Sequence, residues 1–459
     1  MFLPRIIQGG MGVNTSSPEL ARTVSMYSRP GNETLGTISG TALEIVMARM
    51  LKIGGIYTER IVTALEDFPF REVAQRVINE YGGKPSKGIP VFSVNPSRAL
   101  SELTICANYA FVKMAKNGHS NPISINYLEK IAMPHLLAIF GAMLAGVDFI
   151  TMGAGIPDQI PAVISAYATG NPATYKIPVV GERERYEIRF NPAEFFGCAI
   201  PPLKKPGFIP IVSSNVLGEI LKKRLPPGSI QGAVIEKDTA GGHNAPPRNK
   251  IAYGPDDEVD FLRFTKLELP FWIAGSYASP ENLALAESVG ANGIQAGSIF
   301  ALSRESGMRS DIREEIIRQA FNGTLKIRTD MRISPTGFPF KVVELAETIS
   351  DKTTYDSRDR ICDKGALVVL YRKPDGSIGY RCPSEPIDAY LRKGGKIEDT
   401  VGRGCICNGL LVKAEMQLPG EKEPGVATLG DDTRFIRHLV TGPEDSYSAV
   451  DALNYLFRT

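Results

Sequence analysis

Residues 271–298 read FWIAGSYASPENLALAESVGANGIQAGS. A short apolar run, Phe271–Ala274, passes directly into Gly275-Ser276. Ser279-Pro280-Glu281 then supplies an N-cap, a proline at the first helical position and an acid in the first turn. The helix so started runs through Leu283, Ala286 and Glu287 to a stop at Gly290. A second apolar run, Gly293–Ala296, ends in Gly297-Ser298. Strand, helix and strand, with both strands closing on Gly-Ser, match the last two units of a parallel barrel, whose loops after strands seven and eight often cradle a phosphate. Glycine lets the backbone approach an anion closely, and backbone N–H groups then face it. Two structural turns with no ligand are the competing reading.

Working outward, six more short apolar or β-branched runs precede this region: Leu3–Gln8, Leu35–Ser39, Ile89–Val94, Val147–Met152, Phe208–Ser213 and Gly232–Glu236. Fully apolar runs suit strands buried on both faces of a parallel sheet. Most are followed by a helical pattern, and one helix start, Ser17-Pro18-Glu19, repeats the arrangement at 279–281. Ser97 is a candidate cap for a helix after the third run. Eight alternations predict an α/β fold, a (β/α)8 TIM barrel. Such a barrel uses roughly 250 residues, and this chain has 459. The excess falls in two places. Residues 172–206 carry two β-rich stretches, Tyr175–Val180 and Tyr186–Phe190, around Gly181-Glu182-Arg183-Glu184. They read as a hairpin inserted after the fourth strand, placed to cover the barrel mouth. The second excess is the tail, where Val368–Tyr371 and Ser377–Arg381 flank the turn Pro374-Asp375-Gly376. The expected division is a barrel over 1–345 and a small β-containing subdomain over 346–459.

Three further motifs fall at strand ends. Thr239-Ala240-Gly241-Gly242-His243-Asn244 follows the sixth run. Paired glycines there let backbone lie flat against a ring, and a histidine beside them can exchange a proton near neutral pH. A structural loop histidine is the alternative. Of the other histidines, His119 reads as a loop residue beside Gly118, His135 lies in an apolar helical pattern and His438 in the tail. Ile6-Ile7-Gln8-Gly9-Gly10-Met11-Gly12 closes the first run, with Met11 a soft surface for a ring edge. Val94-Asn95-Pro96 closes the third, where Asn95 offers both a donor and an acceptor. A turn asparagine before proline is the competing reading.

In order and wording these pieces resemble the nitronate monooxygenase family, also called 2-nitropropane dioxygenase-like. The carriers are Ile6-Ile7-Gln8-Gly9-Gly10-Met11, Ala240-Gly241-Gly242-His243 and the stretch from Gly290 to Ser298, and the match covers residues 1 to 310 approximately. The resemblance implies a barrel that holds FMN without a covalent bond and oxidises alkyl nitronates with O2. It implies that Gly10, Met11 and Asn95 meet the ring, that Gly241 and Gly242 lie beside it, and that Gly275, Ser276, Gly297 and Ser298 hold the phosphate. His243 takes the catalytic base position. Several departures are similar to the family's flavin enoyl-reductase branch, in which NAD(P)H is the electron donor. They are Glu236-Lys237 for the usual Gln-Gly, Ala274-Gly275-Ser276 for the usual Ala-Gly-Gly, Ser213-Ser214-Asn215 after strand five, and Asn244-Ala245-Pro246-Pro247-Arg248 after the histidine. In that branch Arg248 and Lys250 would contact a phosphate of NADPH or of phosphopantetheine. A barrel similar to inosine-monophosphate dehydrogenase would need a catalytic cysteine in a mouth loop, and neither Cys106 nor Cys198 sits in such a motif.

Composition narrows the remaining classes. The net charge of +2 provides no strong field for nucleic acid or an anionic membrane. The basic runs Lys204-Lys205 and Lys222-Lys223-Arg224 read as solvated surface. The longest apolar stretch, Leu136 to Ile150, is broken by Asp148 and is shorter than the roughly 20 residues of a span. Met1-Phe2-Leu3-Pro4-Arg5 shows no secretory pattern, so the expected compartment is the cytoplasm, with its cysteines reduced. Cys362, Cys382, Cys405 and Cys407 share the tail, but Cys-x-Cys with two distant partners is not a standard zinc or iron–sulfur spacing, so no metal is expected. The expected partner is a small-molecule or carrier-bound substrate, and the reading leaves room for a homodimer. A flavin- or phosphate-binding protein without catalysis is the alternative from another class.

Overall fold

A computed structural model describes residues 2–82, 89–249, 251–418 and 420–458. Eight parallel strands close into a barrel: β1 Ile6–Gln8, β2 Thr34–Ser39, β3 Ile123–Leu128, β4 Phe149–Gly153, β5 Gly207–Val212, β6 Ala233–Glu236, β7 Phe271–Ala274 and β8 Gly293–Ala296. The chain is therefore an α/β TIM barrel. Closure is made by β1 against β8, with Ile6 opposite Ile294 and Gln8 opposite Ala296. The caps form where local chemistry predicts them. The Ser17 hydroxyl accepts from Leu20 N at 3.0 Å, and the Ser279 hydroxyl from Asn282 N at 3.1 Å.

The third strand is not where the apolar runs placed it. Residues 89–94 contain no strand, and β3 is Ile123-Ser124-Ile125-Asn126-Tyr127-Leu128. This strand alternates, with Ile123, Ile125 and Tyr127 on one side and Ser124 and Asn126 on the other, and both sides are buried or nearly so. Its polar side faces the barrel interior, where the Thr151 hydroxyl donates to Asn126 Oδ1 at 2.8 Å. Hydrogen bonding makes such burial tolerable, and it hides the strand from a search for apolar runs. Ser97 does cap a helix, Arg98–Ala115, but that helix precedes β3.

The inserted segment forms its hairpin, Ala173–Ile177 antiparallel to Tyr186–Phe190. The first strand ends at Pro178, which has no N–H to donate. Val179–Val180 then pairs in parallel with the tail strand Val369–Arg372, itself in a hairpin with Ile378–Arg381. The insertion packs on the barrel's flank through Phe140, Tyr167, Phe190 and Phe196, and none of its residues lines the barrel mouth. The tail covers the mouth instead. It shares apolar clusters with the barrel, with Leu429, Phe435 and Leu453 in the same cluster as Ile6, Ile235 and Ile294. The helix Ala449–Leu456 is tied to the helix Pro18–Tyr27 by Tyr27, whose ring stacks on Phe457 and whose hydroxyl donates to Asn454 Oδ1 at 2.9 Å. Among the described residues no helix is long and apolar enough to cross a membrane.

Candidate active site at the carboxyl rim of the barrel

One large cavity opens at the carboxyl ends of the strands. Gly10 and Met11 after β1, Gly241, Gly242 and His243 after β6, Gly275 and Ser276 after β7, and Gly297 and Ser298 after β8 all line it. Its roof comes from the tail, through Leu367, Cys407, Leu410, Lys413, Leu429, Gly430 and Asp432. Nine of the ten residues singled out in the sequence thus meet at one rim. The tenth, Asn95, does not. It is exposed on a loop beside Val94, whose N–H donates to the Tyr380 hydroxyl at 2.9 Å. With β3 reassigned, the asparagine at the rim is Asn126.

Close approach explains the glycines. A Cβ on Gly10 would lie 2.1 Å from the Asn126 side chain, and one on Gly241 would lie 2.9 Å from Gly430 N. Gly242 has φ +83° with no neighbour near its missing Cβ, so conformation alone requires glycine there. Met11 spans from the β1 loop to the β8 loop, its Sδ 3.5 Å from where a Gly297 Cβ would stand. A tail segment straps these loops together. Gly242 N donates to Thr428 Oγ1 at 2.8 Å, Gly430 N to Ser298 Oγ at 2.8 Å, and Asp431 N to Thr239 O at 3.0 Å. Ser276 is held at φ +59°, an uncommon backbone state for a residue with a side chain.

The cavity's polarity is set by burial. His243 packs edge-on against Phe340 at 4.8 Å, and its Nε2 hydrogen-bonds with the Ser334 hydroxyl at 2.7 Å, which continues to Thr336. Burial, reinforced by the nearby positive charge of Lys130, holds the imidazole down to about 4, so it is neutral at pH 7. On the same wall, burial pushes the Glu236 carboxyl up to about 8, so it keeps its proton at pH 7. Two polar atoms on the wall, Thr239 Oγ1 and Gln295 Nε2, are buried without a hydrogen-bond partner. Orphaned donors and acceptors, paired with glycine-lined loops, are what a nucleotide's polar edges would satisfy. The donor set therefore fits FMN.

The other three histidines stand elsewhere. His119 bonds to Ala115 O, His135 is buried against Tyr175, and His438 stacks on Tyr455. Arg248 is exposed and off the cavity wall, and Lys250 lies outside the described residues. Cys362, Cys382, Cys405 and Cys407 are free thiols that line one small cavity behind the roof, and Cys407 also reaches the large one. Among the described residues no group of three or more His, Cys, Asp or Glu is arranged to hold a metal ion. Sequence reasoning missed Asn126, Gln295 and Lys413, and noted Glu236 only as a departure. The alternation around Asn126 was a usable signal, whereas nothing near Lys413 announces a place at the rim.

No protein-family model matches the chain, and no curated protein matches its sequence. Among solved structures the fold is similar to FabK from Thermotoga maritima, at 14% identity over 99% of this chain and 91% of that one, with a TM-score of 0.47. It is similar to a nitroalkane oxidase from Streptomyces ansochromogenes, at 11% identity over 99% and 95%, with a TM-score of 0.49. A third is the enoyl reductase domain of MlnA from Bacillus amyloliquefaciens, at 14% identity over 75% and 64%, with a TM-score of 0.38. At these identities and scores the likenesses assign no activity to this chain.

Proposed function

We propose that the chain is an FMN-dependent oxidoreductase of the nitronate monooxygenase type, oxidising alkyl nitronates with O2. One observation carries this reading: the glycine loops after β1, β6, β7 and β8 and one half-buried histidine, His243, converge on one roofed cavity. Gly275, Ser276, Gly297 and Ser298 would hold the phosphate. Gly10, Met11, Gly241, Gly242 and Asn126 would face the ring. FMN supplies the electron chemistry when bound, and the protein supplies position, exclusion of water and proton transfer. The leucine-rich roof and Phe340 keep solvent from the reacting atoms. His243, uncharged and hydrogen-bonded to Ser334, would take the carbon proton where the substrate enters as the neutral nitroalkane, since the nitronate has already lost it.

A neutral imidazole is a usable base but a very weak acid, which ranks oxidation of a substrate carbon first. The second reading, NAD(P)H-dependent reduction of an enoyl thioester in fatty acid or polyketide synthesis, draws on Glu236, which stays protonated at pH 7 on the same wall. The test is to reconstitute the purified protein with FMN. NAD(P)H oxidation and O2 uptake are then measured with and without nitronates and enoyl thioesters. Nitronate-dependent O2 uptake without NAD(P)H supports the first reading, and thioester-dependent NAD(P)H oxidation the second. A yellow protein turning over neither, with His243→Ala no different from the parent, would mean a binding protein. A protein that takes up no FMN would remove all three.

A further inference from the structure

Lys413 ends the helix Ile406–Lys413, whose residues Ile406, Cys407 and Leu410 also line the cavity. It is 1% exposed, yet it lines the same cavity. Its Nζ donates to the Thr15 hydroxyl, and a Cβ on Gly12 would lie 3.3 Å from Nζ. The ammonium therefore sits against the loop that follows β1. Arg49, Lys341 and Arg358 also have buried side chains, and each has a carboxylate. Arg49 pairs with Glu421 at 2.6 Å, Lys341 with Asp431 at 2.7 Å and Arg358 with Glu423 at 3.0 Å. Lys413 has one neutral hydroxyl and no carboxylate within ion-pair distance. Desolvation alone accounts for its lowered pKa, about 8, so at pH 7 most of it is charged. A charge taken out of water without a counter-ion is unfavourable, and the arrangement is balanced when the cavity's ligand carries the opposite charge.

The phosphate does not meet that need in the reading above, because its cradle is the β7 and β8 loops, whereas Lys413 adjoins the β1 loop assigned to the ring. Resting on that flavin reading, we propose that Lys413 is the counter-ion for the negative charge that the isoalloxazine acquires on reduction. It then tunes the electron affinity of the flavin rather than its retention.

Sulfite provides a substrate-free test, since its addition to the oxidised ring leaves negative charge on the pyrimidine edge. The reconstituted holoprotein is compared with Lys413→Met, which keeps the length and apolar stem, and with Lys413→Arg, which keeps the charge. Lys413→Met should retain FMN within threefold of the parent dissociation constant. Its sulfite dissociation constant should rise at least tenfold, and Lys413→Arg should restore most of that. Lys413→Gln serves the same comparison if the methionine variant does not fold. An unchanged sulfite constant in a folded, flavin-loaded uncharged variant overturns the proposal. So does an unchanged sulfite constant with a raised KM for an anionic nitronate, which moves the charge to the substrate. A parent protein that takes up no FMN instead defeats the flavin reading, and the proposal with it.

Discussion

Gly241 and Gly242 are neighbours that require glycine for different reasons, and replacing each with alanine separates those reasons. A Cβ on Gly241 would stand 2.9 Å from both Gly430 N and Leu429 C, and 3.2 Å from Leu429 Cα. These are backbone atoms and cannot rotate away, so the tail strap must move. Moving it strains three hydrogen bonds: Gly242 N to Thr428 Oγ1, Gly430 N to Ser298 Oγ, and Asp431 N to Thr239 O. Overpacking costs about 1–3 kcal/mol and each lost hydrogen bond about 1 kcal/mol. Because the terms trade against each other, Gly241→Ala should cost about 2–4 kcal/mol. At Gly242 nothing lies near the missing Cβ, but φ is +83°, so Gly242→Ala should cost only about 1–2 kcal/mol of backbone strain. Urea unfolding can be followed on the single tryptophan, Trp272, which is buried in β7 and donates to Pro4 O at the opposite end of the barrel from the strap. FMN affinity should fall about tenfold or more in Gly241→Ala, since about 1.4 kcal/mol of lost pre-organisation at the β6 and β8 loops suffices. If Gly241→Ala unfolds within about 0.5 kcal/mol of the parent, the strap does not press on the glycine loop and the account of the rim is wrong.

Other predictions follow from the same geometry. With His243 held down to about 4, kcat/KM for a substrate that must lose a proton should stay flat from neutrality downward and fall only near pH 4. A limb near the ordinary 6.5 would contradict the burial argument. Stability should decline as pH drops from about 6.5 toward about 4, because the unfolded chain takes up protons that the folded His243 and His135 refuse, and His243→Gln should lessen that slope. Asn126→Ala should weaken FMN binding about tenfold, the loss of one good hydrogen bond, while Asn95→Ala leaves it within about twofold. Equal effects in a binding titration would undo the reassignment of β3. A chain ending at residue 345 should be insoluble, since Ile6, Ile235 and Ile294 lose the tail residues Leu429, Phe435 and Leu453 from their shared cluster. A soluble, cooperatively unfolding fragment would show instead that the barrel stands alone.

The features legible in the sequence are those that local chemistry dictates. Ser17, Ser97 and Ser279 cap helices because a hydroxyl reaches an N–H three residues on, wherever the rest of the chain goes. The Gly-Ser pairs after β7 and β8 and the Gly-Gly-His after β6 mark strand ends for the same reason. A strand whose inner side is apolar can also be found by its run of hydrophobics. β3 escaped because its inner side carries Ser124 and Asn126, of which Asn126 is bonded by Thr151 on β4. The hairpin at 173–190 could be read from its turn, but not the Pro178 break that sends Val179–Val180 to the tail sheet.

By itself the sequence determined the barrel class, the helix caps and the glycine-rich rim with its histidine, because each follows from backbone demands within a few residues. Only the tertiary structure decided that Asn126 rather than Asn95 stands at the rim, that the tail rather than the insertion roofs the cavity, and that Lys413 is buried there without a carboxylate. Those outcomes depend on which distant apolar surfaces pack together, and that packing sets burial and charge at the site without leaving a mark in the local pattern.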